Sequence, residues 1–317
     1  MALFFSNANL PVPALPTIGV GLRWYYASST TISLYSDHPS GSCFVPCFNA
    51  STGEAVIVEI PAASLPMSLN LGSSGAGGLD TGSVAADKFY CVRMIAKADG
   101  GSPALLATLN AGTPTIPAAY AGGVQSDIIW GVSCSVDYDS SGATDEISAF
   151  IQTAPGACRY STGRGGYVGY GLTALSEGAA TSSTAIDLSH LVPAPVADTR
   201  QETIGTALIG YYAQNNHATT RVGHIYHSAD GRTDADANDE DALESVFYVG
   251  RLDSASAAGG RDEGGAFDFP IALSKTSTDY GFTTTSTGTL ANCMQYKWTG
   301  AADCKLTIYV RGWTING

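Results

Sequence analysis

Short runs of β-branched and aromatic residues recur along the whole chain, and turn-forming residues close them. The run at 54–60 is followed at once by Pro61, and the run at 89–96 ends before Gly100-Gly101. Glycine, proline, aspartate and serine at such intervals are typical of the connections in sandwiches and barrels. The sequence therefore predicts an all-β fold of many short strands. The predicted strands lie at 18–26, 31–35, 54–60, 89–96, 128–138, 146–152, 204–212, 221–227, 245–252, 267–274 and 306–313.

The length of the chain, 317 residues, is more than one typical domain holds. Residues 161–183 are rich in glycine and then in serine, threonine and alanine, which makes this segment the best boundary. We expect two β-sandwich-like or jelly-roll-like domains, at 1–160 and 184–317. Residues 161–183 would join them as a linker, or would form an arm laid on a neighbouring subunit.

The charge of the chain excludes several partners. The formal net charge is −13, and both halves are acidic, so no basic stripe is present to neutralise the phosphates of a duplex. The longest apolar runs are shorter than the roughly 18–20 residues that span a membrane. The first residues carry no basic residue and do not form a signal peptide. We expect no nucleic acid ligand, no membrane insertion, and folding in a cytosol.

Seven cysteines are present, and an odd number cannot pair completely within one chain. Cys91 and Cys134 stand inside apolar runs, which favours buried thiols that pack as small hydrophobic groups. Cys293 and Cys304 flank a turn near Gly300, so a disulfide between them is the alternative and would need an oxidising environment.

One acidic turn is similar to the opening of a calcium-binding loop. Asp137 and Asp139 precede Ser141-Gly142, and Asp145 follows. The glutamate that should close such a loop is replaced by Ser148. We interpret the segment as a hairpin turn and keep the three aspartates as weak metal candidates.

No catalytic or cofactor site is predicted. His224 and His227 would lie on opposite faces of a strand, which does not suit a zinc site. No Gly-x-Ser-x-Gly motif occurs, and Gly163 to Gly166 lacks the spacing of a nucleotide loop. We therefore expect a protein that is not an enzyme and holds no cofactor.

Aromatic residues are the remaining candidates for binding. Trp24 stands in the run Trp24-Tyr25-Tyr26, and Tyr167 and Tyr170 lie in the glycine-rich segment. Such side chains stack on sugars or fill the pockets of a protein partner. We expect Tyr167 and Tyr170 to anchor their segment onto a neighbouring subunit, with Trp24 as a further interface candidate.

A resemblance to a known family runs from about residue 54 to residue 150. An alternating strand at 56–60 precedes Gly-Gly-Leu-Asp-Thr-Gly-Ser at 77–83 and the strand-like run at 88–95. A second run at 104–109 leads to Pro-Thr-Ile-Pro-Ala-Ala-Tyr at 114–120, and Trp-Gly-Val at 130–132 and an Asp-Ser-Ser-Gly turn at 139–142 follow. This ordered set resembles a module of tailed-bacteriophage virion proteins, especially tail fibres.

The resemblance implies a structural component of a virion, assembled in the host cytoplasm, with no chemistry of its own. It favours a tail-associated fibre or spike component that contributes to host attachment by binding a surface glycan or protein. It also implies contacts with other virion proteins and a homo-oligomer, for which a trimer is favoured. Two alternatives stay open, which are a capsid decoration protein of the head-cement or head-fibre kind and a secreted carbohydrate-binding or carbohydrate-active protein.

Overall fold

The computed structural model of the chain describes 21 strands and two short 3-10 helices. The described residues are 3–4, 19–49, 51–110, 113–134, 146–161, 171–182, 184–193, 203–216, 221–227, 247–252, 261–272, 294–298 and 304–315. They confirm the predicted all-β class, since antiparallel sheets hold almost every element. Among these residues no helix is long and apolar enough to cross a membrane.

The chain packs as two compact units, Met1–Val168 with Trp313–Gly317, and Gly169–Gly312. The change of unit after Val168 falls within the segment 161–183 that the sequence marks as a boundary. The last five residues, which the prediction places in the second domain, belong to the first unit. The physical reason is that Trp313 is fully buried among the aromatic side chains of that unit.

The first unit contains thirteen strands among its described residues. They are β1 Leu3–Phe4, β2 Leu22–Tyr26, β3 Thr31–Ser36, β4 Cys43–Asn49, β5 Ala55–Ile60, β6 Met67–Asn70, β7 Gly78–Leu79, β8 Lys88–Ala96, β9 Ala104–Leu109, β10 Val124–Gln125, β11 Trp130–Cys134, β12 Phe150–Ala154 and β13 Ala157–Tyr160. The two 3-10 helices, Ala62–Ser64 and Ala118–Tyr120, follow Pro61 and Pro117.

One sheet of the first unit runs in the order β1-β5-β4-β10-β8-β9-β7, and β11 also pairs with β8. Its strand β8 is buried along eight of nine residues, as in a strand covered on both faces. The sequence of β8 is apolar apart from Lys88 and Arg93. The Gly-Gly-Leu-Asp motif forms a connection at the sheet edge, where Gly77 has φ +85°. Asp80 holds this connection, since its Oδ1 accepts from the Thr81 N–H at 2.8 Å and its Oδ2 from the Thr115 N–H at 2.9 Å.

The other sheet of the first unit contains β13, β12, β2, β3 and β6 in that order. β12 and β13 form a hairpin, and β2 and β3 form a second antiparallel pair. Along β2, from Leu22 to Tyr25, buried residues alternate with more exposed ones, as expected for a sheet with one covered face. In β3 three successive residues, Ile32, Ser33 and Leu34, are buried.

Aromatic side chains from both sheets form the core of the first unit. The rings of Trp24 and Trp130 stack at 5.8 Å between centroids, and Trp313 lies 4.8 Å from Trp130. The ring of Phe89 packs edge-on against Trp313, and a Cβ at Gly131 would lie 2.3 Å from that ring. Gly131 is therefore required by close packing rather than by a turn.

The second unit contains the strands β14 Leu172–Gly178, β15 Thr184–Ile186, β16 Thr203–Asn215, β17 Arg221–His227, β18 Phe247–Leu252, β19 Arg261–Ala272, β20 Met294–Trp298 and most of β21 Cys304–Ile315. β16 lies between β19 and β21, and β14 pairs with β21. A separate four-stranded sheet has the order β15-β20-β17-β18. Trp298 of β20 is buried, and its indole N–H donates to the Gly178 carbonyl at 3.2 Å.

Residues 172–178 of the glycine-rich segment form β14, a strand that was not predicted from the sequence. The strand at 43–49 was also missed from the sequence, where Pro46 argues against a paired strand. Pro46 stands opposite Ile57 of β5, and the pairs of β4 with β10 involve only Phe48 and Asn49. A proline is tolerated at that point because no partner strand needs its missing N–H.

All six described cysteines are buried, as the sequence predicts. Cys304 Sγ donates to Asn215 Oδ1 at 3.5 Å. The proposed pairing partner, Cys293, lies outside the described residues.

Candidate interaction surface

The two faces of strands β2 and β3 differ in chemistry. Leu22, Trp24, Ile32 and Leu34 point into the core and are at most 5% exposed. Tyr25 and Tyr35 point the other way and are 49% and 42% exposed. Because neighbouring residues of a strand face opposite sides, the run Trp24-Tyr25 places one aromatic ring on each side of the sheet.

The strand register brings the outward side chains together. Ile151 of β12 stands opposite Tyr25 of β2, and Arg159 of β13 stands opposite Ile151. Arg23 of β2 stands opposite Tyr35 of β3. Residues opposite one another on antiparallel strands share a face, so these five side chains form one surface. We call this surface, made of Arg23, Tyr25, Tyr35, Ile151 and Arg159, the Tyr–Arg face.

Ring contacts order part of the Tyr–Arg face. The rings of Tyr25 and Tyr35 meet edge to face, with centroids 4.9 Å apart and planes at 73°. The guanidinium carbon of Arg23 lies 5.8 Å from the centroid of the Tyr25 ring, within the range of a cation–π contact. These contacts reduce the rotamer freedom that a partner would otherwise have to freeze.

Apolar exposure and positive charge coincide on the Tyr–Arg face. Ile151 is 59% exposed, the highest value among the exposed large hydrophobic residues of the described chain. The first unit contains eleven acidic and six basic residues, and two of those six are Arg23 and Arg159. Neither arginine forms an ion pair within the described residues. The face is therefore a local basic and apolar area on an acidic unit.

Contacts on the core side of the same strands hold the Tyr–Arg face in place. Gln152 of β12 is 4% exposed; its Oε1 accepts from the Trp24 backbone N–H at 2.6 Å. Its Nε2 donates to the Leu22 carbonyl at 3.1 Å, so one side chain connects β12 to two backbone groups of β2. Behind them, Trp24 stacks on Trp130 and Phe150 packs against Trp130. The outward residues thus stand on strands held by a close-packed core.

The Tyr–Arg face has the chemistry of a contact surface for a macromolecule. Tyrosine and arginine dominate the binding energy at protein interfaces, and an exposed aliphatic group among them adds apolar area. Small-molecule sites, by contrast, are concave and enclose most of their ligand.

The described ionisable groups with shifted pKa values lie in the core. Burial, together with the negative charge of Asp127, raises the pKa of Cys47 to about 12. Burial also raises the pKa of Cys158 and of Tyr160, and the phenol oxygen of Tyr160 accepts from the Trp313 indole N–H at 3.2 Å. These groups stay protonated at neutral pH and serve packing. The part of the chain that the structure describes contains no group of three metal-ligating side chains.

Of the predicted site residues, Trp24 is the one that lies within the described part of the chain. Trp24 is 2% exposed and lies in the aromatic core, so its ring is not on the surface of the unit. Tyr167 and Tyr170, predicted to anchor an arm, lie outside the described residues, as do the weak metal candidates Asp137, Asp139 and Asp145.

Sequence reasoning did not single out Tyr25, Tyr35, Ile151 and the two arginines as a group. The alternation of β2 is visible in the sequence, but it does not say which set of residues faces the core. The pairing of β12 with β2 joins segments that are distant along the chain, and no local signal reports it.

Comparison of the chain with known protein families, with curated proteins and with solved structures gives no match.

Proposed function

We propose that this chain is a non-enzymatic structural protein of a tailed-bacteriophage virion, a tail-associated fibre or spike component that contributes to host attachment. The observation that carries the proposal is the Tyr–Arg face, an exposed adhesive surface on a firmly held sheet. The resemblance of residues 54–150 to phage virion proteins supplies the biological setting.

The proposed mechanism is display and adhesion. A β-scaffold presents a surface that is already ordered, so binding costs little conformational entropy. Copies of the chain would assemble with one another and with other virion proteins, and the particle would then present many weak sites at once. Multivalent presentation raises the effective concentration of each further contact into the millimolar range, so weak single contacts suffice.

The test is the composition of purified particles. Antibodies raised against the purified chain should label the tail in electron micrographs of particles from a host that carries its gene, and quantitative mass spectrometry should find a few copies per particle. Hundreds of copies, with label on the head, would favour the capsid decoration alternative. Absence of the chain from particles, with the protein free in the culture medium, would contradict a virion role altogether.

A further inference from the structure

We propose that the Tyr–Arg face is a self-assembly surface, on which a second copy of this chain docks through an acidic part of its own surface. The inference rests on the proposed function, which already includes assembly of copies, and it deepens that function by naming the surface and the kind of contact.

Charge complementarity favours a second copy of this chain as the partner at the Tyr–Arg face. The face presents Arg23 and Arg159, while the chain as a whole has 28 acidic and 15 basic residues. A second copy therefore offers more carboxylates than basic groups. A guanidinium group beside an aromatic ring binds a carboxylate by donating two parallel hydrogen bonds to it, a planar bidentate geometry that lysine does not provide.

The same charges indicate how two copies meet. If the face paired with itself across a two-fold axis, four arginines would share one interface without a carboxylate from its five defining residues. A contact between the face and a different, acidic surface removes this conflict. Such a contact is heterologous, and it gives a closed ring when the rotation between copies divides the circle evenly. A ring of three is the closed form that the phage resemblance favours.

The size of the face sets the expected affinity. The face lies on four strands, which at about 4.8 Å spacing span about 14 Å, and a five-residue strand is about 17 Å long, which gives an area of roughly 240 Å². Stable interfaces bury about 800 Å² on each partner. We therefore expect self-association of the isolated chain in the range of tens of micromolar. At 0.15 M salt the Debye length is about 8 Å, so the net repulsion between acidic copies is largely screened while close contacts persist.

The experiment is sedimentation velocity of the full chain from 2 to 200 µM in 0.15 M salt. The chain should shift from monomer to a larger closed species as its concentration rises. Ile151→Ala, Tyr25→Ala and Arg23→Gln should each weaken the association at least tenfold. Leu109→Ala is the matched control, since Leu109 is also an exposed aliphatic residue of the first unit, 45% exposed, but lies on β9 away from the face. It should associate like the unchanged chain.

A monomer at 200 µM, or an oligomer that all three face variants leave intact, would overturn the inference. Near-ultraviolet circular dichroism checks that each variant is folded, and Arg23→Gln keeps the test valid if Tyr25→Ala does not fold. A monomeric chain whose face variants instead lose binding to host-surface polysaccharide would also overturn it in favour of a glycan. These outcomes are separate from particle composition, so a monomer found in virions contradicts self-assembly but not the proposed function.

Discussion

The two sides of the sheet β13-β12-β2-β3-β6 use the same strands for different purposes. On the core side, Trp24, Leu34 and Gln152 are buried and connect the sheet to the rest of the first unit. On the outer side, Tyr25 and Ile151 are about half exposed. The comparison teaches that the residues that stabilise the unit and those of the proposed binding face are separated by a single residue step along a strand, because the side-chain period is two. Changes on one side should therefore leave the property of the other side largely intact.

The largest expected effect is the contrast between Trp24→Ala and Tyr25→Ala. Removing the buried indole should lower the free energy of unfolding by about 3–5 kcal/mol, because it leaves a cavity beside Trp130. Removing the exposed phenol ring should cost less than about 1 kcal/mol. Urea denaturation followed by tryptophan fluorescence measures both, since three of the four tryptophans belong to the first unit. Equal costs for the two variants would mean that the sides are not distinct.

A second contrast on β12 sharpens the comparison at the level of hydrogen bonds. Gln152→Ala should lower the free energy of unfolding by about 2–4 kcal/mol, because it leaves the Trp24 N–H and the Leu22 carbonyl without the acceptor and donor that Gln152 supplies. The control is Thr153→Ala, an exposed position on the same strand, with an expected cost within about 0.5 kcal/mol. A small cost for Gln152→Ala would show that water replaces its side chain and that the core side is open.

The burial of Cys47 in the other sheet of the first unit predicts that the free energy of unfolding falls at alkaline pH. The folded state holds Cys47 protonated with a pKa of about 12, against an ordinary value of 9.0. Its stabilising contribution is complete below pH 9 and is lost as the pH rises from 9 to 12, at up to about 1.4 kcal/mol per pH unit. The free energy of unfolding should fall less steeply in that window for Cys47→Ala than for the unchanged chain. Identical slopes would indicate that water reaches this thiol.

The smallest expected effect separates two buried indoles of the same core. The Trp313 indole N–H donates to the Tyr160 hydroxyl, whereas the Trp24 indole N–H has no acceptor among the described residues. Trp313→Phe should therefore cost about 1 kcal/mol more than Trp24→Phe in the free energy of unfolding. The two changes remove similar ring volume, so each serves as the control for the other. A larger cost for Trp24→Phe would contradict the difference in hydrogen bonding.

The all-β class and most strands were predictable because their signals are local. Arg221–His227 was predicted with its observed bounds, and Gly77 and Asp80 act in their connection as their residue types suggest. The return of Trp313 to the first unit was not predictable, since long-range packing decides it. Trp24 was named as an interface candidate within the run Trp24-Tyr25-Tyr26, because alternation alone does not say which neighbour faces the core. The adhesive face depends on the register of β12 against β2, which no local pattern encodes.

The most direct measurement of the adhesive role is hydroxyl-radical footprinting of the unchanged chain at 2 and 200 µM. Labelling of Tyr25, Tyr35 and Ile151 should fall at least threefold at the higher concentration, while labelling of Leu109 stays constant. Equal labelling of the Tyr–Arg face at both concentrations would contradict the claim that this face binds a second copy.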